Sequence, residues 1–166
     1  MTKVLFPGSF DPITKGHMNI IEQASNLFDE VIIAIMNNPE KTNYFFSRKE
    51  RIELVKEIYK SRKNINIVSS ENTTVDLAQE LDCKILIRGL RDIIDFEYEF
   101  KMSQINKDIS NDEINTICIF TDPIYKNISS STVKQIFDLN KSISKYVDPI
   151  VEERMITKKL TKQKGN

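Results

Sequence analysis

The first residues that could do chemistry lie in one turn near the N-terminus, from Pro7 to His17, which holds two prolines, two glycines, a serine and the one histidine of the sequence. The turn joins an apolar strand, Lys3–Phe6, to an amphipathic helix predicted from about Gly16 to Phe28. Such a junction offers free backbone N–H groups and the positive end of a helix dipole, which together favour phosphate. Because Gly8 would let a ligand approach the backbone and His17 could point toward it, the turn predicts a phosphate site.

Two arginines and a run of hydroxyl groups are further candidates for binding phosphate. Arg88 and Arg91 flank a glycine after an apolar strand, and a guanidinium matches phosphate oxygens with two hydrogen bonds. The alternative is that both arginines only pair with nearby carboxylates. Glu99 could hold one of them or contact the ribose or base of a nucleotide. The run Ser129–Thr132 either caps a helix or adds a second contact to phosphate or nucleotide.

The histidine and a lysine each have an ordinary structural alternative. His17 could be a partly buried side chain with its hydrogen bonds satisfied inside the protein, but its place at a helix start beside Ser9 favours function. The helix N-terminus disfavours an imidazolium and bound phosphates favour one, so the sequence leaves its protonation state open. Lys41 lies in a polar loop between a strand and a capped helix and, taken by itself, would be a solvated surface residue.

Several other chemistries have no matching residues in the sequence. There is no Walker loop, no Ser/His/Asp arrangement, no cluster of histidines and cysteines for a metal ion, and no residue that stands out as a covalent nucleophile. A basic, phosphate-lined site without a protein nucleophile fits transfer of a group between two bound anionic substrates.

The composition indicates one domain over residues 1–166 that ends in a basic, frayed tail from about residue 157 to 166. Lys plus Arg equals Asp plus Glu, at 24 each, so no overall field attracts nucleic acid or a membrane surface. No stretch approaches the roughly 18 apolar residues of a membrane span, and no signal peptide is recognised. Cys83 and Cys118 form no CxxC pair, which favours a reduced, cytoplasmic protein.

Five short apolar runs predict the strands that position the candidate residues: Lys3–Phe6, Val31–Met36, Ile65–Ser69, Lys84–Arg88 and Asn115–Phe120. Helical patterns separate these strands, and the second begins at Ser47 with a capping box to Glu50. The later helices are predicted over about Val75–Leu81, over about Phe96–Asp108 and from near Ser130. The alternation predicts an α/β fold with a mainly parallel sheet and right-handed crossovers.

Polar residues follow each predicted strand. The carboxyl ends of parallel strands meet at one edge of a sheet, and ligands bind beyond that edge. The residues placed there are Ser9 and His17, Asn37 to Lys41, Asn72 to Thr74, Arg88 to Arg91, and Tyr125 to Ser131. The sequence therefore predicts a single site for a polyanion at this edge.

The motifs resemble those of a known family. The segment Pro7–Pro12 with Gly16 and His17 resembles the (T/S)xxH signature of the nucleotidyltransferase superfamily. The blocks Arg88–Arg91, Asp95–Glu99 and Ile128–Lys134 make the chain similar to the bacterial phosphopantetheine adenylyltransferases, from Lys3 to about Met155. The resemblance implies a Rossmann-like dinucleotide-binding fold, with helices on both faces of a five-stranded parallel sheet and further helices at the C-terminus.

The resemblance also implies an activity. The family transfers AMP reversibly from ATP to 4′-phosphopantetheine, giving dephospho-coenzyme A and pyrophosphate in the penultimate step of coenzyme A synthesis. The transfer is a direct in-line displacement without a covalent enzyme intermediate. A relative that acts on nicotinamide mononucleotide, or that uses CTP with a polyol phosphate, would share the first turn but not the later blocks. A regulatory module would keep the pocket without turnover.

By the same resemblance, His17 stabilises the transition state, with Ser9, Lys41 and Arg91 beside it at the catalytic centre. The residues implied for phosphopantetheine are Ser9, Lys41, Thr74 and Arg88. Those implied for ATP are Ser9, Phe10, His17, Gly89, Leu90, Arg91, Glu99, Tyr125, Lys126, Asn127, Ile128, Ser129, Ser130 and Ser131. Mg²⁺ is expected on the substrate phosphates rather than in a protein cage, and the family is typically a cytoplasmic homohexamer, a dimer of trimers, for which coenzyme A is a candidate feedback ligand.

The sequence departs from the family pattern at three places. Ser9 stands where many members have threonine, which keeps the hydroxyl group. Asn72, Thr73 and Thr74 replace a more apolar stretch that packs on the pantetheine arm, so the contact of Thr74 is left open. The loop from Lys41 to Ser47 is one residue longer than in common members, and Lys41 is aligned through the Asn-Pro that precedes it.

Overall fold

Five parallel strands form one sheet in the computed structural model, which describes residues 1–38 and 43–164. The strands are β1 (Lys3–Gly8), β2 (Glu30–Met36), β3 (Ile65–Ser70), β4 (Ile85–Leu90) and β5 (Asn115–Phe120). Their order across the sheet is β3-β2-β1-β4-β5. All five predicted strands are confirmed, and each pairing in this order is parallel.

The winding of the chain reverses at β1, which pairs with β2 on one side and with β4 on the other. In open α/β sheets, the crevice beyond the carboxyl ends at such a reversal is where ligands bind. β1 and β2 lie inside the sheet, and their side chains are almost all buried. Burial on both faces explains why these strands are continuous apolar runs rather than alternating ones.

The helices that connect the strands are α1 (Lys15–Leu27), α2 (Arg48–Tyr59), α3 (Thr74–Glu80), α4 (Ile93–Ile109), α5 (Ser130–Asp138) and α6 (Pro149–Lys164). The capping box predicted for α2 is confirmed, since Glu50 N donates to Ser47 Oγ at 3.2 Å and Ser47 N donates to Glu50 Oε2 at 2.7 Å. α4 begins three residues before the predicted start because the Asp92 carboxylate accepts from the N–H groups of Ile94 and Asp95. None of the helices in the described ranges is long and apolar enough to cross a membrane.

Helices cover both faces of the sheet, as predicted. On one face α1, α2, α5 and α6 share a buried cluster that includes Ile21, Val55, Val133 and Val151. On the other face α3 packs Val75, Leu77 and Ala78 against Leu5, Ile32 and Leu86. Successive residues of a strand point to opposite faces, so β1 and β2 contribute to both clusters.

The C-terminal helix is longer than the composition indicated. α6 is helical to Lys164, through most of the segment predicted as a frayed tail. Val151 and Met155 are fully buried, and the Lys158 ammonium donates to Glu50 on α2. Packing against the body of the protein therefore orders a segment whose charged composition alone favours a solvated tail.

Two glycines are required by packing inside the protein. A Cβ on Gly89 would lie 2.9 Å from Ile20 Cγ1, and a Cβ on Gly8 would lie 2.9 Å from two carbons of the Phe10 ring. The sequence interpretation gave Gly8 a different purpose, close approach of a ligand. In this structure the missing Cβ of Gly89 makes room for α1 against β4. The missing Cβ of Gly8 makes room for the ring of Phe10, which belongs to the loop between β1 and α1, residues 9–14, called the first loop below.

We expect Gly89→Ala to lower the free energy of unfolding by about 1–3 kcal/mol, because Ile20 is buried and has little room to move. The measurement is urea unfolding at fixed protein concentration. Gly16→Ala is the matched control, since its Cβ would meet no atom closer than 3.5 Å and the residue is helical. That variant should be at least as stable as the wild type. Equal effects of the two substitutions would contradict the contact with Ile20.

Candidate active site

A cleft of about 720 Å³ opens at the carboxyl ends of the strands. It is lined by segments that are far apart in sequence: the turn after β1, the end of β2, the start of α3, the end of β4 with α4, and the start of α5. The predicted site residues that line it are Ser9, Phe10, His17, Thr74, Arg88, Gly89, Arg91, Glu99, Ile128, Ser129, Ser130 and Ser131. The predicted convergence of polar loops on one sheet edge is therefore confirmed.

The remaining predicted residues lie elsewhere or are not described. Leu90 is buried in the sheet, so any contact with a ligand would come from its backbone. Among the described residues, Tyr125, Lys126 and Asn127 do not line the cleft; they belong to a short 3₁₀ turn and the residues directly after it. Lys41 lies outside the described residues, so its role stays a prediction.

The first loop is shaped around Phe10. Its backbone is left-handed, with φ of 47°, which is uncommon for a residue with a large side chain. The Phe10 ring is buried and makes edge contacts with Phe6, at 5.6 Å between ring centres, and with His17, at 5.2 Å. Strained backbone of this kind persists only where the surroundings hold it, and it is concentrated at functional sites.

His17 is fixed by the cap of its own helix. Thr14 is the N-cap residue of α1, and its backbone N–H donates to His17 Nδ1 at 3.0 Å, while His17 N donates back to Thr14 Oγ1. With Nδ1 as the acceptor of this hydrogen bond, the geometry corresponds to the tautomer whose proton lies on Nε2. The sequence interpretation also missed Thr14, whose signal is a hydroxyl residue three positions before the histidine, as in a capping box.

The N-terminus of α1 has fewer open donors than the sequence interpretation assumed. The N–H of Lys15 donates to Tyr146 O at 2.8 Å, and that of His17 is taken by Thr14. Two N–H groups of the first helical turn are thus used inside the protein.

Both predicted phosphate-binding arginines are paired with carboxylates. Arg88 donates from Nε and Nη2 to Glu99, at 2.7 and 2.6 Å, and from Nη1 to Pro7 O at 2.9 Å. Arg91 donates from Nε and Nη2 to Asp95, at 2.7 and 2.8 Å. The sequence interpretation gave such pairing with nearby carboxylates as the alternative to phosphate binding. They do not exclude a ligand, because a guanidinium has five N–H groups and each arginine uses only three or fewer here.

The pair of Arg91 and Asp95 shifts the titration of both groups. The hydrogen bonds from Arg91 hold the pKa of Asp95 below its ordinary value of 3.8, although burial opposes the shift. The same hydrogen bonds raise the pKa of Arg91. Asp95 is therefore an anion, and Arg91 a cation, throughout the neutral pH range.

The lining of the cleft is not an open basic patch. Its charged residues in the described part of the chain are Arg88 and Arg91 against Glu71, Asp95 and Glu99. Glu71 is paired as well, with Arg48 at 2.7 Å. The described lining thus carries two arginines and three carboxylates, each of them in an ion pair, and Lys41, which the sequence also placed at this edge, lies outside the described residues.

The serines at the start of α5 make different contacts. Ser129 caps the helix by accepting from Thr132 N at 3.0 Å, and Ser130 Oγ donates to Pro12 O at 2.8 Å. Ser131 lines the cleft and is exposed. The cap is therefore real, and Ser131 is the hydroxyl of the run best placed for a ligand.

Thr74 is the first residue of α3, and its hydroxyl donates to Met36 Sδ at 3.7 Å. It lines the cleft together with Asn72 and Thr73. The cleft wall on this side is thus polar, as the departure from the family pattern indicated.

The sequence interpretation also missed a buried carboxylate. Asp11 is fully buried, accepts from the N–H groups of Phe45 and Phe46 at 2.8 Å each, and pairs with Lys134 at 3.1 Å. It connects the first loop to the loop before α2 and to α5. A buried charge needs such partners, because an unpaired one is very costly.

Comparison with known proteins places this cleft in a family. Residues 5–136 match the cytidylyltransferase-like family. A phosphopantetheine adenylyltransferase of Caldanaerobacter subterraneus subsp. tengcongensis is 42% identical over 95% of this chain and 98% of its own length. One of Finegoldia magna is 43% identical, covering 92% of this chain and 93% of the relative. One of Clostridium perfringens is 38% identical, covering 92% and 94%.

A solved structure supports the fold. The crystal structure named as a nicotinate-nucleotide adenylyltransferase from Vibrio parahaemolyticus superposes with a TM-score of 0.69, covering 95% of this chain and 93% of its own. Its sequence is 20% identical, so the likeness bears on the fold alone. The Rossmann-like fold expected from the motifs is confirmed.

Proposed function

The chain belongs to the cytidylyltransferase-like family and, within it, to the phosphopantetheine adenylyltransferases, and on that premise we propose how its cleft works. It is an enzyme that transfers the adenylyl group of ATP to 4′-phosphopantetheine, giving dephospho-coenzyme A and pyrophosphate in coenzyme A biosynthesis. The observation that carries the mechanism is the meeting of Ser9, His17, the two arginines and Ser131 in one cleft.

The reaction is a direct in-line displacement. A phosphate oxygen of phosphopantetheine forms a bond to the α-phosphorus of ATP. The bond from that phosphorus to the bridging oxygen breaks, and pyrophosphate leaves with the electron pair. A phosphate monoester with a second pKa of about 6 is largely dianionic at neutral pH, so the attacking group needs no strong base. Catalysis then consists of positioning the two substrates and stabilising charge on the transferring group.

His17 supplies the donor at the point of transfer. Its Nε2–H donates to an oxygen of the transferring phosphate, where negative charge is greatest in the pentacovalent transition state. Thr14 holds the ring in this tautomer through Nδ1. A fixed donor gives stabilisation without reorganisation during the reaction.

The other residues divide between the two substrates. Ser9 contacts the phosphates of both, and Lys41, Thr74 and Arg88 bind phosphopantetheine. The ATP side is formed by the Phe10 backbone, Gly89 to Arg91, Glu99 and the segment from Tyr125 to Ser131. Arg88 and Arg91 bind through N–H groups that their carboxylate partners leave available, so neither ion pair has to break.

Mg²⁺ is held mainly by the phosphate oxygens of the substrates. The carboxylates that line the described part of the cleft, Glu71, Asp95 and Glu99, are each committed to an arginine. Substrate oxygens and water are the ligands that Mg²⁺ commonly keeps in nucleotide sites. When bound, the ion would neutralise part of the triphosphate charge. The ion-paired lining of the described cleft does not neutralise that charge.

The enzyme works in the cytoplasm as a homohexamer, a dimer of trimers, with coenzyme A as a candidate feedback ligand. One end of the subunit supports assembly: α4 exposes Ile94, Phe96 and Phe100, and the adjacent edge strand β5 exposes Phe120. Contiguous apolar surface of this kind marks an interface. The inner side of α4 carries Asp95 and Glu99, so assembly on its outer side would also support the cleft.

The activity is tested by pyrophosphate release from ATP with three acceptors: 4′-phosphopantetheine, nicotinamide mononucleotide and glycerol phosphate. We expect turnover with phosphopantetheine only, and loss of turnover when Mg²⁺ is chelated. Restoring Mg²⁺ should restore the rate, which controls for damage by the chelator. Preference for either other acceptor would contradict the assignment, and binding of ATP without turnover would favour a regulatory module.

For His17→Ala we expect kcat to fall by roughly two or more orders of magnitude, with KM for both substrates changed far less. The reason is that the hydrogen bond from Nε2 is strongest in the transition state. Lys15→Ala is the control from the same helical turn; its ammonium donates to Ser144 O, and the side chain does not line the cleft. A near-wild-type kcat for His17→Ala would refute the role of the histidine.

Assembly is tested by light scattering. A hexamer of 19.3 kDa chains has a mass of about 116 kDa, six times the chain mass. Phe100→Glu should shift the protein to smaller species, because it places a charge in the apolar surface of α4. Leu139→Glu, at an exposed apolar residue after α5, should leave the mass unchanged. A wild-type protein that is monomeric at micromolar concentration would exclude the hexamer.

A further inference from the structure

Arg51 is a buried arginine on α2 that does not line the cleft but makes hydrogen bonds to three residues that do. Its side chain is almost completely buried, with 1% of the residue exposed. Nη1 donates to Ser9 O at 2.7 Å and to Met36 O at 3.3 Å, and Nη2 donates to Asn37 Oδ1 at 2.8 Å. The ring of Tyr44 covers the guanidinium, with its centre 4.3 Å from Cζ. One side chain thus contacts the first loop, the end of β2 and the residue that follows β2.

These contacts fix the relative positions of two cleft segments. Ser9 follows β1 and Met36 ends β2, so the guanidinium bridges the carboxyl ends of two paired strands. The planar guanidinium reaches the two carbonyl oxygens from Nη1 and the amide oxygen from Nη2, two nitrogens held in a fixed geometry. A lysine ammonium carries its three N–H donors on a single nitrogen at the end of a flexible stem, so it does not reproduce this geometry.

The charge of Arg51 also acts on the cleft. Carbonyl oxygens at the ends of parallel strands carry partial negative charge, which repels phosphate. Arg51 neutralises two of these oxygens directly behind Ser9. The buried Asp11 carboxylate interacts with Arg51 and pairs with Lys134, so the three groups together carry one positive charge behind the first loop.

The placement is costly for stability, which argues for a functional reason. Burial lowers the pKa of Arg51, and the nearby Asp11 carboxylate opposes that shift. The Arg51 Nε atom is buried and has no hydrogen-bond partner among the described residues. Unmatched buried donors are rare in native structures, and local costs of this kind are typical of functional sites.

We propose that Arg51 is a positioning residue for adenylyl transfer: it holds the Ser9 carbonyl and the end of β2 so that the Ser9 hydroxyl and the Phe10 backbone meet the transferring phosphate. The proposal rests on the proposed function. Arg51 touches neither substrate, and it acts through Ser9. A misplacement of about 1 Å at such a loop can cost on the order of 100-fold in rate.

The test compares Arg51→Lys with Arg62→Lys. Arg62 makes hydrogen bonds to Glu22 and Ser25 at 2.8 Å and lies outside the cleft, so it experiences the same chemical change without touching the first loop. We expect Arg51→Lys to remain folded, with kcat lowered about 10- to 100-fold and KM for ATP changed about threefold or less. Arg62→Lys should keep the wild-type kcat.

A second variant keeps the proposal testable if Arg51→Lys does not fold. Asn37→Ala removes the acceptor of Nη2 at an exposed residue that also lines the cleft. It should lower kcat about 3- to 10-fold with KM for both substrates changed about threefold or less, whereas loss of a direct substrate contact would raise KM. Where Arg51→Lys does fold, the Asn37 substitution should add almost nothing to its effect in the double variant, because both act through one contact. A merely structural role would not produce this non-additivity in kcat.

Three outcomes overturn the proposal: wild-type kcat in folded Arg51→Lys, a loss carried entirely by KM, or, where Arg51→Lys does not fold, an unchanged kcat in Asn37→Ala. These results differ from a failure of the proposed function. In that case the wild-type enzyme itself would not turn over phosphopantetheine, and the kcat comparison would not arise.

Discussion

Two buried charges behind the first loop, Asp11 and Arg51, together with the partly buried Lys134, are the constraint on which the site depends. Asp11, Arg51 and Lys134 come from the loop after β1, from α2 and from α5, and their hydrogen bonds join these three segments. A buried ionised group must keep its partners, because water cannot replace them inside the protein. The backbone that would meet the phosphates is therefore fixed by the same contacts that hold the helices to the sheet.

The two arginines that line the described part of the cleft are not open cations. Arg88 and Arg91 are each held by a carboxylate, which orients the guanidinium while leaving further N–H groups available. Oriented donors cost less reorganisation on binding than mobile lysines on an open surface would.

Helix α4 connects the site to the outer surface. Its inner residues Asp95 and Glu99 hold the two arginines, while its outer apolar residues, with Phe120 of β5, form an exposed face. A helix that carries the carboxylate partners of two arginines on one side and uncovered apolar side chains on the other is stabilised fully only when that face is covered. Assembly and the fixed orientation of the two arginines would then both depend on α4.

The sequence by itself determined the five strands, most helix starts, the family and most of the cleft lining, because apolar periodicity, caps and motif spacing are local signals. It could not show that Gly89 makes room for Ile20 of α1, 69 positions earlier in the chain. Only the tertiary structure brought Asp11 within reach of Lys134, 123 positions away, and of Arg51. Contacts between distant residues carry no local signal, since they arise from how the elements pack.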